Sequence, residues 1–124
     1  MADLSLEKLA DEKFFINVSG TNVIFDGCID LQNPDPVITP YFEKIHEQII
    51  SNDIKEVTLD FKNLNFLNSS GIKTITKWIM KIPTLPDDKK YKMKLYYSES
   101  ITWQHTSLKI LTYLAPGNVE AIAG

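Results

Sequence analysis

Val57-Thr58-Leu59-Asp60-Phe61-Lys62-Asn63-Leu64-Asn65-Phe66-Leu67-Asn68-Ser69-Ser70-Gly71-Ile72 is the stretch that decides the fold. Val57, Leu59 and Phe61 alternate with Thr58, Asp60 and Lys62, the period of two expected of a strand with one wetter face. Leu64, Phe66 and Leu67 then carry the chain inward to Asn68-Ser69-Ser70-Gly71. Beyond the glycine, Ile72, Ile75, Ile79 and Ile82 recur at steps of three, four and three, which is the stripe of an amphipathic helix. The serines therefore sit where a strand-end loop enters a helix.

Working outward toward the amino terminus, Phe14–Val18 and Val23–Asp30 read as two strands joined by a turn at Ser19-Gly20-Thr21-Asn22. A loop begins near Asp30, because Pro34 and Pro36 have no N–H to give to a ladder. Ile38, Phe42, Ile45 and Ile49 then mark a helix, with Thr39 as its expected N-cap and Pro40 in its first turn. Toward the carboxyl terminus, Pro83 to Asp88 stops the central helix, and Met93, Leu95 and Tyr97 alternate as another strand. Trp103, Ser107, Ile110 and Leu114 suit a third helix closed by Ala115-Pro116-Gly117, and Val119–Ile122 a short last strand. This order predicts an α/β fold, a mixed four- to five-stranded sheet covered by α-helices. The 124 residues suit one domain, 1–124, with its core over about residues 14–122.

Composition narrows the function classes. A hydrophobic fraction of 44% with 23% charged residues is that of a soluble globular protein. No apolar run approaches the roughly 20 residues of a membrane span, and the acidic start, Met1 to Lys8, has no signal-peptide core; a cytoplasmic protein without membrane contact is expected. The net charge of -3 and a basic set made only of 13 lysines argue against nucleic-acid binding, which draws on basic side chains and favours arginine's planar fork. The lysines Lys89, Lys90, Lys92 and Lys94 read as the solvated start of a strand. Cys28 stands alone, so neither an internal disulfide nor a zinc site is expected. Asp26 and Asp30 share a strand face but have no third ligand. No metal or cofactor is expected.

Serine chemistry also reads as non-enzymatic. Ser69 lacks a Gly-x-Ser-x-Gly elbow, while His46 and His105 lie on separate helices with no spaced acid partner. His46, among Glu43, Glu47 and Gln48, reads as a solvated helix residue. The plain role of a serine at a helix start is to cap an orphan N–H. A second serine and a glycine beside it make a small exposed turn that a kinase could reach, with the positive end of the helix dipole to receive a phosphate. Lys73, Thr74, Lys77 and Trp78 fall outside the isoleucine stripe and are candidates to face a partner; Trp78 packing sideways is the competing expectation. Trp103 is expected to be core or a helix-start staple.

Two segments resemble the STAS family, the sulphate-transporter and anti-sigma-factor-antagonist domains, and in particular its stand-alone bacterial antagonists. Asn22-Val23-Ile24-Phe25-Asp26-Gly27-Cys28-Ile29-Asp30 is similar to the family's strand ending in a glycine, two variable residues and an aspartate. Val57 to Ile72 is similar to its strand, loop and phosphorylated Asp-Ser-Ser/Thr-Gly turn. The resemblance implies a phosphoacceptor at Ser69, with Ser70 as the alternate, and a binding surface of Asp30, Asn68, Ser70 and Gly71 joined by Lys73, Thr74 and Lys77. It further implies a signal-transduction protein of transcription regulation that switches protein partners. Those partners would be an anti-sigma-type serine kinase and a PP2C-like phosphatase. The alternative is a STAS module that is not phosphorylated and serves as an interaction or small-ligand-binding unit in a sensor or second-messenger pathway. Asn68 departs from the usual aspartate and keeps only an amide's hydrogen-bonding groups there.

Overall fold

A computed structural model describes residues 4–124; Met1, Ala2 and Asp3, with which the reading of the amino terminus begins, lie outside the described residues. Six strands form one mixed sheet in the order β1 to β6. They are β1 (Leu9–Ala10), β2 (Phe14–Ser19), β3 (Asn22–Ile29), β4 (Glu56–Leu67), β5 (Lys92–Tyr97) and β6 (Val119–Ala123). The helices α1 (Asp35–Ser51), α2 (Ser69–Ile79) and α3 (Thr102–Leu111) each connect two neighbouring parallel strands. The α/β architecture and helix-covered mixed sheet agree with expectation. The sixth strand is β1, a two-residue piece paired antiparallel with β2 through Leu9 and Ala10, too short to leave a periodic signal.

β2 and β3 form the expected hairpin, closed by the Ser19–Asn22 pair, with Gly20 in the left-handed region at φ 63°. β3, β4, β5 and β6 run parallel, so their carboxyl ends, and the loops that enter the helices, gather at one end of the sheet. In open parallel sheets that is where sites are built. Val23, Phe25, Val57, Leu59, Phe61, Met93 and Leu95 belong to one buried cluster with Ile38, Phe42, Ile45, Ile75, Trp78 and Leu108 of the helices. Phe25 stacks on Phe61 with ring centroids 4.5 Å apart, and Phe42 of α1 meets Trp78 of α2 at 4.9 Å.

α1, β4 and α3 each depart from expectation in one detail. α1 begins at Asp35, not Thr39, because Pro36 falls in the first turn where its missing N–H is no loss. Thr39 instead donates its hydroxyl to Asp35 Oδ1 at 2.6 Å. β4 runs unbroken to Leu67, with register shifts against β3 between Ile24 and Asp26 and between Gly27 and Cys28. The irregularities re-aim the side chains, so that Leu64 and Leu67 point inward while Phe66 is 47% exposed. On α3 the buried positions are Gln104, Leu108 and Leu111, and Ile110 is 58% exposed; the apolar stripe expected through Ile110 is turned by one residue.

Candidate functional site

The turn between β4 and α2 is built by Asn68. Its backbone is extended at φ -76° and ψ 172°, which makes it the N-cap, and its Oδ1 accepts the Gly71 N–H at 2.8 Å. Its carbonyl accepts the Ile72 N–H at 3.0 Å. Ser69 and Ser70 are thus the first two residues of the helix, whose N–H groups have no partner within it. Their hydroxyls make no side-chain hydrogen bond among the described residues. Capping, the plain role for a serine here, has gone to Asn68, and Ser69 is left exposed with Ser70 half-buried beside it.

Gly71 is required by space rather than by backbone conformation. A Cβ there would lie 2.5 Å from Leu67 Cδ1 and 3.2 Å from Ile29 Cγ2, so the glycine lets α2 start directly over the ends of β3 and β4. The Thr74 hydroxyl donates to the Gly71 carbonyl at 2.6 Å. Gly71 and Thr74 are therefore buried parts of the support and not of an exposed face.

Asp30 lies on the same end of the sheet, just after β3, where it pairs with Lys13 at 2.9 Å. That pairing raises the Lys13 ammonium above its usual range. Lys77 reaches across to Asp35 at the start of α1, 2.6 Å away; this bond and the Thr39 hydroxyl hold the Asp35 carboxyl below its usual range. Lys73, one helical turn beyond Ser69, is exposed and has no ion-pair partner among the described residues. Of the residues expected to form one surface, Ser69, Asp30, Lys73 and Lys77 are at the surface and Asn68 and Ser70 are half-buried in the turn.

No family model and no curated protein matches the chain. Among solved structures, the chain is similar to an anti-sigma factor antagonist from Mycobacterium paratuberculosis, at 16% identity, over 83% of this chain and 81% of that chain, with a TM-score of 0.48.

The histidines take no part in the turn. His46, expected in solvent, is buried, and its Nδ1 lies 2.6 Å from the Tyr91 hydroxyl, which also accepts the Trp78 Nε1–H at 2.8 Å. Trp78 is 2% exposed, so it packs inward rather than facing a partner. His105 packs its ring against Tyr97 with centroids 5.5 Å apart and the planes tilted by 45°. Trp103, the second residue of α3, is half-buried against the core and not a helix-start staple, its Nε1–H donating to the Asn65 carbonyl at 2.8 Å. Asp26 and Asp30 find no third ligand, for the described residues contain no cluster of three or more metal-ligating side chains.

Gln104 carries no signal in the sequence. It is fully buried, its Nε2 donating to the Phe61 and Leu64 carbonyls while its Oε1 accepts the Ser98 N–H at 2.8 Å. Pairing of β4 with β5 stops at Asp60, and the side chain completes the ladder that β5 no longer supplies. No local pattern separates such a glutamine from a surface one.

Proposed function

We propose that this chain is a non-enzymatic regulatory protein, of the cytoplasmic bacterial kind that the STAS resemblance implies, which changes protein partners when Ser69 is phosphorylated. The observation that carries this reading is the exposed Ser69 hydroxyl, left free because Asn68 supplies the cap. Ser70, half-buried one residue on, is the alternate acceptor. The surface around it consists of Asp30, Asn68, Ser70, Lys73 and Lys77. A serine kinase of the anti-sigma type would dock there and modify the hydroxyl, and a PP2C-like phosphatase would reset it. ATP and magnesium would belong to the kinase, since this sequence has no glycine-lysine phosphate loop.

The unmodified face is neutral to positive. The first turn of α2 holds no acidic residue, and Lys73 stands one turn on. Phosphorylation adds about -1.5 to -2 charges and three acceptor oxygens. At roughly 5 Å and an effective dielectric near 20, one facing charge changes the interaction by about 3 kcal/mol, on the order of a hundredfold in affinity. Such a change separates two partners without refolding the protein.

Ser69→Ala and Ser69→Asp test the reading together. The alanine variant should bind the docking partner constitutively and the aspartate variant should release it; equal binding of one partner by both variants contradicts the switch.

A further inference from the structure

Asn68 does more than cap α2. Its N–H donates to the Ile29 carbonyl at 3.0 Å and its Nδ2 donates to the Leu31 carbonyl at 2.8 Å, while Oδ1 holds the Gly71 N–H and the carbonyl holds Ile72. Two of these bonds go back to the end of β3 and its following loop, and two go forward into the helix. The loop they grip carries Asp30, which Lys13 secures from the other side. One residue thus ties together the segments bearing Asp30 and Ser69.

The chemistry of that tie needs an amide. A carboxylate can accept the Gly71 N–H as well as an amide can, and aspartate and asparagine cap helices about equally. It has no proton for the Leu31 carbonyl, and would set a negative oxygen against that acceptor. The asparagine standing where the resembled family has aspartate is therefore a matched part of this turn and not a weakened copy.

Resting on the reading of Ser69 given above, we propose that Asn68 is the positioning residue of the switch: its side-chain amide clips the β3–α1 loop to the start of α2, so that Asp30 and Ser69 form one fixed surface before and after phosphorylation. The clip uses the N–H groups of Gly71 and Ile72 and leaves those of Ser69 and Ser70 open. A phosphate on Ser69 would meet the open pair and leave the clip in place.

Amide hydrogen exchange of the full chain, followed by NMR, tests this with three variants. The reporters are the N–H groups of Val37 and Ile38, which donate to the Pro34 carbonyl at the end of the loop, and those of Gly71 and Ile72 in α2. Asn68→Asp and Asn68→Ser should speed exchange at Val37 and Ile38 by about tenfold, the factor for one lost hydrogen bond, and leave Gly71 and Ile72 protected. Asn68→Ala should release Val37 and Ile38 together with Gly71, whose bond goes to the side chain, and leave Ile72, which bonds to the main-chain carbonyl of residue 68. In Asn68→Asp, lowering the pH until the introduced carboxyl is protonated should restore protection at Val37 and Ile38, because an O–H can donate to Leu31 again. Wild-type protein carrying phosphoserine at position 69 should keep both sets protected.

Loop protection in Asn68→Asp equal to wild type, or loss of Gly71 and Ile72 protection on phosphorylation, overturns the proposal. Failure to find Ser69 phosphorylated in cells would overturn the functional reading alone, since the exchange pattern of the Asn68 variants does not depend on a kinase.

Discussion

His46 Nδ1 accepts the Tyr91 hydroxyl proton across 2.6 Å of buried interior, joining α1 to the segment that leads into β5. The direction of that bond follows from its neighbours. The Trp78 indole can only donate, and it donates to the same Tyr91 oxygen. A proton on Nδ1 would leave the buried tyrosine O–H without an acceptor, a cost that the neutral tautomer with Nδ1 bare avoids. Burial, followed by the charge of Lys81 from the turn after α2, holds the imidazole below its usual range, against a smaller opposing pull from Glu47.

Stability should therefore fall in mild acid. The folded protein keeps His46 neutral while the unfolded chain takes up a proton near pH 6.5, so the unfolded state binds more protons below that pH. Unfolding free energy should drop by up to about 1.4 kcal/mol per pH unit as pH falls below 6.5, above the range in which the lowered carboxyls of Asp35 and Asp53 act. Urea midpoints measured across this range should show the slope in wild type and lose it in His46→Gln. A flat wild-type profile contradicts the assignment.

Removing the shared oxygen should be expensive at any pH. Tyr91→Phe leaves the His46 nitrogen and the Trp78 N–H unpaired in the core, at about 1–3 kcal/mol for each group. Chemical denaturation should show a loss of at least about 2 kcal/mol, and a change within 0.5 kcal/mol would show that water replaces the hydroxyl.

Gln104→Glu should destabilise more than Gln104→Ala. The carboxylate would face the carbonyl oxygens of Phe61 and Leu64 in a site with no exposure, whereas alanine only abandons them. A cost of about 3 kcal/mol or more is expected for the glutamate, measured by denaturation at pH 7.

Gly27 and Gly71 should separate by cause. At Gly27, φ is 97° and an added Cβ would strike the Lys13 carbonyl, which also accepts the Cys28 N–H. At Gly71 the clash is with the Leu67 side chain, and alanine's better helix propensity offsets about 1 kcal/mol of it. Gly71→Ala should cost about 1–2 kcal/mol and Gly27→Ala clearly more. Thermal melts of the two variants would rank them.

The parts of this fold that were legible are those whose pattern repeats. Val57, Leu59 and Phe61 announced β4, and Ile75 and Ile79 announced α2, because strand and helix periods are written along the chain. Ser69 was placed at a helix start from the same pattern. The rest depends on tertiary partners. Nothing local tells His46, flanked by Glu43 and Glu47, that Tyr91 waits inside, or turns Thr74 inward onto the Gly71 carbonyl. The apolar run of Leu64, Phe66 and Leu67 points to the core, and the irregular pairing of β4 with β3 turns Phe66 out of it. The free Ser69 hydroxyl itself could not be read from the sequence, since a serine and an asparagine compete for one cap and only geometry shows that Asn68 holds it.

Peptide mass mapping of the protein purified from its own cells tests the central claim most directly. A phosphate on the peptide containing Ser69, localised to that residue and absent from Ser69→Ala, is the predicted result. Protein that carries no phosphate at Ser69 or Ser70, in growth or under stress and with phosphatases inhibited throughout, would contradict it.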